Sequence, residues 1–164
     1  MIKPGMRFAI VKILECSTKG DVRFSALYAK VSVFGKEDSI ENHYQLSKRF
    51  PEAPKTWREA KGKKAVYLEI NGLKLSTNFL TQWYYCLWLK YLDQHPRLVE
   101  YAQQFEDFQD FFAKTGTNSQ SDVIKMYVRK GRKTVLEYTK EFREILRKNC
   151  KYNKTPKGDD CFDI

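Results

Sequence analysis

Apolar residues fall in two regimes along the chain, in short β-rich runs up to Leu75 and in stripes at helical spacing after it. Phe8 to Leu14 (F-A-I-V-K-I-L) is mostly apolar and predicts a buried strand. Leu27 to Phe34 alternates toward its end and predicts a second strand, which Gly35-Lys36-Glu37-Asp38-Ser39 breaks. Asp38 or Ser39 then caps a predicted helix from Ile40 to Phe50. Pro51 and Pro54 stop that helix, because proline lacks the N–H and restricts the residue before it. Thr56 to Lys61 allows a short basic helical turn, ended by Gly62. Ala65–Ile70 and Leu73–Leu75 flank Asn71-Gly72, the strongest short-range hairpin signal in the chain.

The second half reads as helices. Thr77 to Leu92 carries Phe79, Leu80, Trp83, Tyr84, Leu87, Trp88, Tyr91 and Leu92 at spacings of three and four. Such a wide stripe predicts a central core helix in preference to an aromatic binding platform. Pro96 suits the first turn of a following helix, and Phe105, Phe108, Phe111 and Phe112 keep helical spacing to about Phe112. After a loop at Lys114–Thr117, Asn118 or Ser119 starts a helix to Lys130, and Gly131 interrupts it. Lys133 to Asn149 forms the last helix, with Val135, Leu136, Tyr138, Phe142, Ile145 and Leu146 expected inward. The expected fold is therefore α+β, a single compact domain over residues 1–150. It has a small early β-sheet with a hairpin at 65–75, packed by the mostly helical second half, and a flexible polar tail at 151–164.

Composition narrows the function classes. The 164 residues are 42% hydrophobic and 15% aromatic, enough for a sizeable core. No window approaches the roughly eighteen consecutive apolar residues of a membrane span, and the first residues lack a secretion leader, so a cytoplasmic protein is expected. Cys16, Cys86, Cys150 and Cys161 form no C-x-x-C pair and only two histidines are present, which argues against a structural zinc. No metal or cofactor is expected. The net charge of +10 favours a polyanionic partner, with nucleic acid the commonest one. The stretch Lys55-Thr56-Trp57-Arg58-Glu59-Ala60-Lys61-Gly62-Lys63-Lys64 holds five cations and a tryptophan, and reads either as a DNA-backbone clamp or as a solvated loop.

Two segments are polar where a helix should bury a face. In the first, Glu41, Tyr44, Gln45 and Lys48 share one side at helical spacing, and His43, Leu46 and Phe50 another, with Asn42, Gln45 and Arg49 between. In the second, Asn118, Ser121, Asp122, Lys125 and Arg129 run down one side while Ile124, Tyr127 and Val128 take the core. An ordinary surface helix explains the first. Capping explains one or two residues of the second more easily than all five.

These residues resemble the NADAR (YbiA-like) domain family. The resemblance runs through Phe24-Ser25-Ala26-Leu27-Tyr28, Lys30–Lys36, His43-Tyr44-Gln45 and Phe50, then Trp88–Leu98, then Gly116-Thr117-Asn118 and the helix to Arg129. Order and spacing agree over about residues 24–130. Membership implies a compact α+β fold and hydrolysis of an N-glycosidic bond, in DNA bearing a modified base or an ADP-ribosyl adduct, or in a free nucleotide. A small basic enzyme of this kind fits conflict between bacteria and phages. Three departures stand out. Asn42, not Glu41, aligns with the family's acidic position. Phe111-Phe112 is the nearest substitute for a Trp-Gly element. Gln120-Ser121 replaces Leu-Gly.

The chemistry so implied builds positive charge on the sugar, which a carboxylate or oriented dipoles stabilise while water adds to the anomeric carbon. Glu41 is the candidate base or stabiliser, Asn42 the alternative that holds the water, and Asp122 the second acid. Tyr44 and Phe111 are candidates to sandwich a base, and Gln45, Asn118 and Gln120 to bond its edge. Arg49 and Arg129 are candidates to hold phosphate. Lys55, Arg58, Lys61, Lys63 and Lys64 are the expected backbone contacts, with the base flipped out of any duplex. The alternative from another class is a non-catalytic nucleic-acid-binding protein.

Overall fold

The computed structural model describes residues 11–50, 55–60, 64–113 and 119–149. The expected loop at Lys114–Thr117, the cap Asn118 and the tail from Lys151 lie outside the described residues, as do Lys61 and Lys63.

The early strands make three small sheets rather than one. Strand β2 (Lys30–Val33) pairs antiparallel with β3 (Lys36–Ser39), so the stretch expected to break the second strand is its hairpin partner. The turn residues Phe34 and Gly35 have φ of 51° and 78°, the pair of positive values that a tight hairpin turn requires. Helix α1 (Ile40–Gln45) follows directly, and the Ser39 hydroxyl accepts the Asn42 N–H as the expected N-cap. It ends at Gln45 instead of Phe50, because Lys48–Arg49 (β4) leaves the helical path to pair with β5 (Tyr67–Ile70). The ladder continues where the Glu69 N–H donates to the Ser47 carbonyl and Arg49 meets Glu69 at 2.9 Å. Strand β6 (Leu73–Leu75) completes this sheet through Asn71-Gly72, with φ of 51° and 80°, as the sequence predicts. Between β4 and β5 in sequence, Trp57–Ala60 is the short helix α2, within the turn expected over Thr56–Lys61.

The third sheet is a long-range pairing. Strand β1 (Ile13–Glu15) runs parallel to β7 (Asp107–Gln109), with Leu14 opposite Phe108. The helix that starts at Pro96 is expected to run to about Phe112, but α4 spans only Pro96–Ala102. Phe108 enters the core, whereas Phe111 and Phe112 are exposed, so their helical spacing reflected no shared buried face.

Helix α3 (Leu80–Asp93) is the central element, with Trp88, Leu87, Leu89 and Leu92 fully buried. Helix α6 (Arg132–Lys148) packs along it, and Phe142 lies 5.6 Å from Phe79 and 5.9 Å from Trp83, ring centre to ring centre. Val135, Phe142 and Leu146 are buried as expected, and Leu136 and Ile145 are partly so. Tyr138 is exposed although it touches Tyr85, and Thr139 and Arg143 take buried positions instead. Arg143 is satisfied locally, donating to the Thr139 hydroxyl and the Leu136 carbonyl. Helix α5 (Gln120–Lys125) passes into a π-helical turn (Met126–Lys130) that ends at Gly131, φ 98°.

Asp93 fastens this region. It accepts the Tyr127 hydroxyl at 2.7 Å and both Nε and Nη2 of Arg132 at 2.8 Å. Thermal denaturation of Asp93→Ala should show a loss of about 1–2 kcal/mol, since three donor groups on two residues lose their acceptor. Among the described residues, no helix is long and apolar enough to cross a membrane.

Candidate functional site

Helix α1 has two unlike faces, and the candidate residues divide between them. Toward α3, Glu41, Tyr44, Gln45 and Lys48 are all buried, the grouping that the helical spacing predicts. Gln45 Nε2 donates to Glu41 Oε1 at 3.0 Å, and Lys48 Nζ donates to Gln45 Oε1 at 2.8 Å. One amide thus links a carboxylate to an ammonium, both only 9% exposed. The Lys48 ammonium also lies 4.8 Å from the centre of the Tyr44 ring, and Tyr44 packs 4.9 Å from Tyr84. Complete burial pushes the Tyr84 phenol well above its usual range. The Trp88 indole beside it acts the other way, while Glu41, Asp110 and Tyr44 raise it further. Tyr84 is accordingly a neutral donor at any physiological pH.

The second polar segment is tied to this face through one residue. Ala26 donates its N–H to Gln120 Oε1 at 2.7 Å and accepts the Glu41 N–H at 3.0 Å. Gln120 Nε2 then donates to Asp110 Oδ2 at 3.0 Å, and the buried Ser119 and Ser121 hydroxyls share a 2.7 Å bond beside it. The start of α1 and the start of α5 therefore meet across Ala26. Asp110 was not anticipated from the sequence, because its stretch reads as helix and its partners lie nine and ten residues on. Glu41 and Asp110 both lie close enough to Tyr84 to raise its pKa. Asp122 is exposed in the first turn of α5, and the tyrosine it influences is Tyr85.

The other candidates are dispersed. The Arg49 guanidinium is engaged by Glu69 and by the carbonyls of Leu46 and Lys48, so it fastens β4 to β5. Arg129 is exposed, 5.8 Å from the Phe108 ring centre. Phe111 is 62% exposed, with the Lys19 ammonium 4.0 Å over its ring and Phe112 edge-on at 5.1 Å. In the basic stretch Lys55, Arg58 and Lys64 are exposed, Arg58 lies 5.2 Å from the Trp57 ring centre, and α2 rests against α1. Asn118, Lys61 and Lys63 lie outside the described residues.

Asn42 belongs to a different face of α1. Its Nδ2 donates to Asp38 Oδ1 at 2.9 Å, and it lines a groove of about 270 Å³ together with Asp38, His43, Glu69, Asn71 and Trp83. Glu41 is not among the residues lining that groove. Burial opposes ionisation of Asp38, yet bonds from Asn42 and the Ser39 N–H hold its carboxyl below the usual carboxylate range. His43 Nε2 lies 3.0 Å from the Val31 carbonyl, so that nitrogen carries the proton and Nδ1 is the acceptor. Burial lowers the His43 pKa below 6.5, against the opposing effects of the Val31 carbonyl and Asp38. The folded state thus prefers neutral His43 more than the unfolded chain does. Its contribution is complete above pH 6.5 and is lost as pH falls through the lowered value. Urea titrations at pH 8 and pH 5 should show this loss in the wild type and a smaller one in His43→Asn.

No protein-family model matches the chain, and no curated protein matches it either.

Proposed function

We propose that this protein hydrolyses an N-glycosidic bond, with Glu41 as the carboxylate that acts on the sugar and DNA as the preferred carrier of that bond. The observation that supports this reading best is the buried Glu41–Gln45–Lys48 chain, fastened through Ala26 to Gln120 and Asp110. Water adds to C1′ and yields its proton to Glu41. The base departs with the bond pair and takes up the proton that Glu41 received, so one water is consumed for each bond broken and Glu41 is restored. Asp110 and the neutral Tyr84 phenol are the second acid and a fixed donor beside it. Gln45 holds the Glu41 carboxylate in one orientation, and Lys48 balances its charge. The NADAR resemblance points to the same chemistry through His43-Tyr44-Gln45 and the start of α5.

The DNA part of the reading is supported by the +10 charge and by the exposed Lys55, Arg58 and Lys64 on and beside the helix that rests against α1. If these cations meet phosphate, affinity for an oligonucleotide should fall linearly in log–log against salt. Arg58→Ala and Lys64→Ala should each reduce the slope by about one. Incubating the protein with modified DNA, plain DNA and the matching free nucleotides, with released base read by mass spectrometry, tests the substrate. Release from modified DNA supports the proposal, and release from the free nucleotide alone moves the substrate off DNA. A non-catalytic nucleic-acid-binding protein is the second reading. The observation favouring it is the near-complete burial of Glu41.

A further inference from the structure

The groove on the other face of α1 is built between the tips of two hairpins, Phe34-Gly35 and Asn71-Gly72, with α1 as its floor and Trp83 behind. Its roughly 270 Å³ falls just under the ~300–1,000 Å³ that holds a drug-sized ligand, so it suits a single ring.

Charge in the groove is balanced. Asp38 lies 3.9 Å from Lys36, Glu69 lies 2.9 Å from Arg49, and His43 is neutral, so neither a bare cation nor an anion is favoured. Hydrogen-bond capacity is left over on both sides. Among the described residues, Asp38 Oδ1 takes Ser39 and Asn42, while Oδ2 has Lys36 alone at 3.9 Å. Glu69 Oε2 takes Arg49 and leaves Oε1, and His43 Nδ1 is an acceptor by tautomer. Among the described residues, Lys36 Nζ and the Asn42 and Asn71 amides offer donors on the same lining, so the matching ligand is neutral and carries hydroxyls, which both accept and donate. Val33, Phe34, Leu46, Ile70 and Trp83 supply apolar surface for the C–H faces of a ring.

We infer that the groove between the two hairpin tips binds a neutral polyol of single-sugar size, through Asp38, Glu69, His43 and Asn71. The site is distinct from the Glu41 centre, and the inference holds whether or not that centre is catalytic. The test is an amide and indole NMR titration of the full chain with D-ribose, with methylammonium as the cationic comparison. D-ribose should give saturable shifts at Gly35, His43, Gly72 and the Trp83 indole. Asn71→Gly keeps the positive φ of the turn and removes the side chain. It and Asp38→Asn should each weaken binding about tenfold, the effect of one hydrogen bond. Glu41→Gln should bind D-ribose as the wild type does. Failure of D-ribose to saturate, shifts indifferent to both groove variants, or tighter binding of methylammonium would overturn the inference.

Discussion

Glu41→Gln is expected to lower the single-turnover rate of base release per folded molecule by about 10²–10³-fold, as removal of one preorganised electrostatic group does, and to lower the melting temperature because buried Lys48 loses its counter-charge. Glutamine has the shape of glutamate and can still accept from Gln45 Nε2, so the bond that orients residue 41 survives. What it lacks is the negative charge that opposes the oxocarbenium-like sugar and the basicity that takes the proton from water. Lys48 then stands buried without the carboxylate that balances it, so binding of the phosphate-bearing substrate should be equal or tighter. A fall in rate with unchanged or improved binding separates a catalytic carboxylate from one that only holds α1 in place. If Glu41 were structural alone, the rate per folded molecule would not fall.

Trp88→Ala should remove about 3–5 kcal/mol of stability, the cost of a large aromatic in a packed core. Trp88 has no exposed surface, lies at the middle of α3 and meets Tyr91 edge-on at 5.5 Å. A domain of this size holds only about 5–15 kcal/mol in total, so the variant should be close to unfolded at 37 °C. Its midpoint in a thermal melt should drop by roughly 6–20 °C. Trp88→Phe isolates the indole N–H from the bulk. It keeps most of the apolar volume, should cost far less, and takes away the donor beside the Tyr84 hydroxyl. A loss of activity in Trp88→Phe out of proportion to its small stability change would tie the core of α3 to the Glu41 centre.

The parts of this architecture that were legible in the sequence are those set by neighbours along the chain. Asn71-Gly72 announces its turn because both residues tolerate positive φ. Glu41, Tyr44 and Gln45 share a face because helical spacing puts them there, while Lys48 reaches them from β4 through its bond to Gln45. What escaped was set by distant partners. Strand β7 is recognisable only by its pairing with β1, some ninety residues earlier, and its phenylalanines imitate a helical stripe. Strand β3 is Lys-Glu-Asp-Ser, with no apolar alternation, and exists because β2 supplies the ladder. Helix α1 stops early because Ser47–Arg49 finds better partners in β5 than in another helical turn. Asp110 could not be assigned to the site by spacing, since only Ala26 and Gln120 bring it near Glu41. Asn42 lines the groove and its neighbour Glu41, about 100° round the helix, does not, which separates the two candidate catalytic positions.

The most direct test of the central claim is a stoichiometry measured on one sample. DNA carrying modified bases is incubated with the protein, free base is counted by mass spectrometry, and abasic sites are counted with an aldehyde-reactive probe. Hydrolysis at C1′ predicts one abasic site for each base released, with both absent for Glu41→Gln. DNA that is bound but yields neither product, or base release undiminished in Glu41→Gln, would contradict the account.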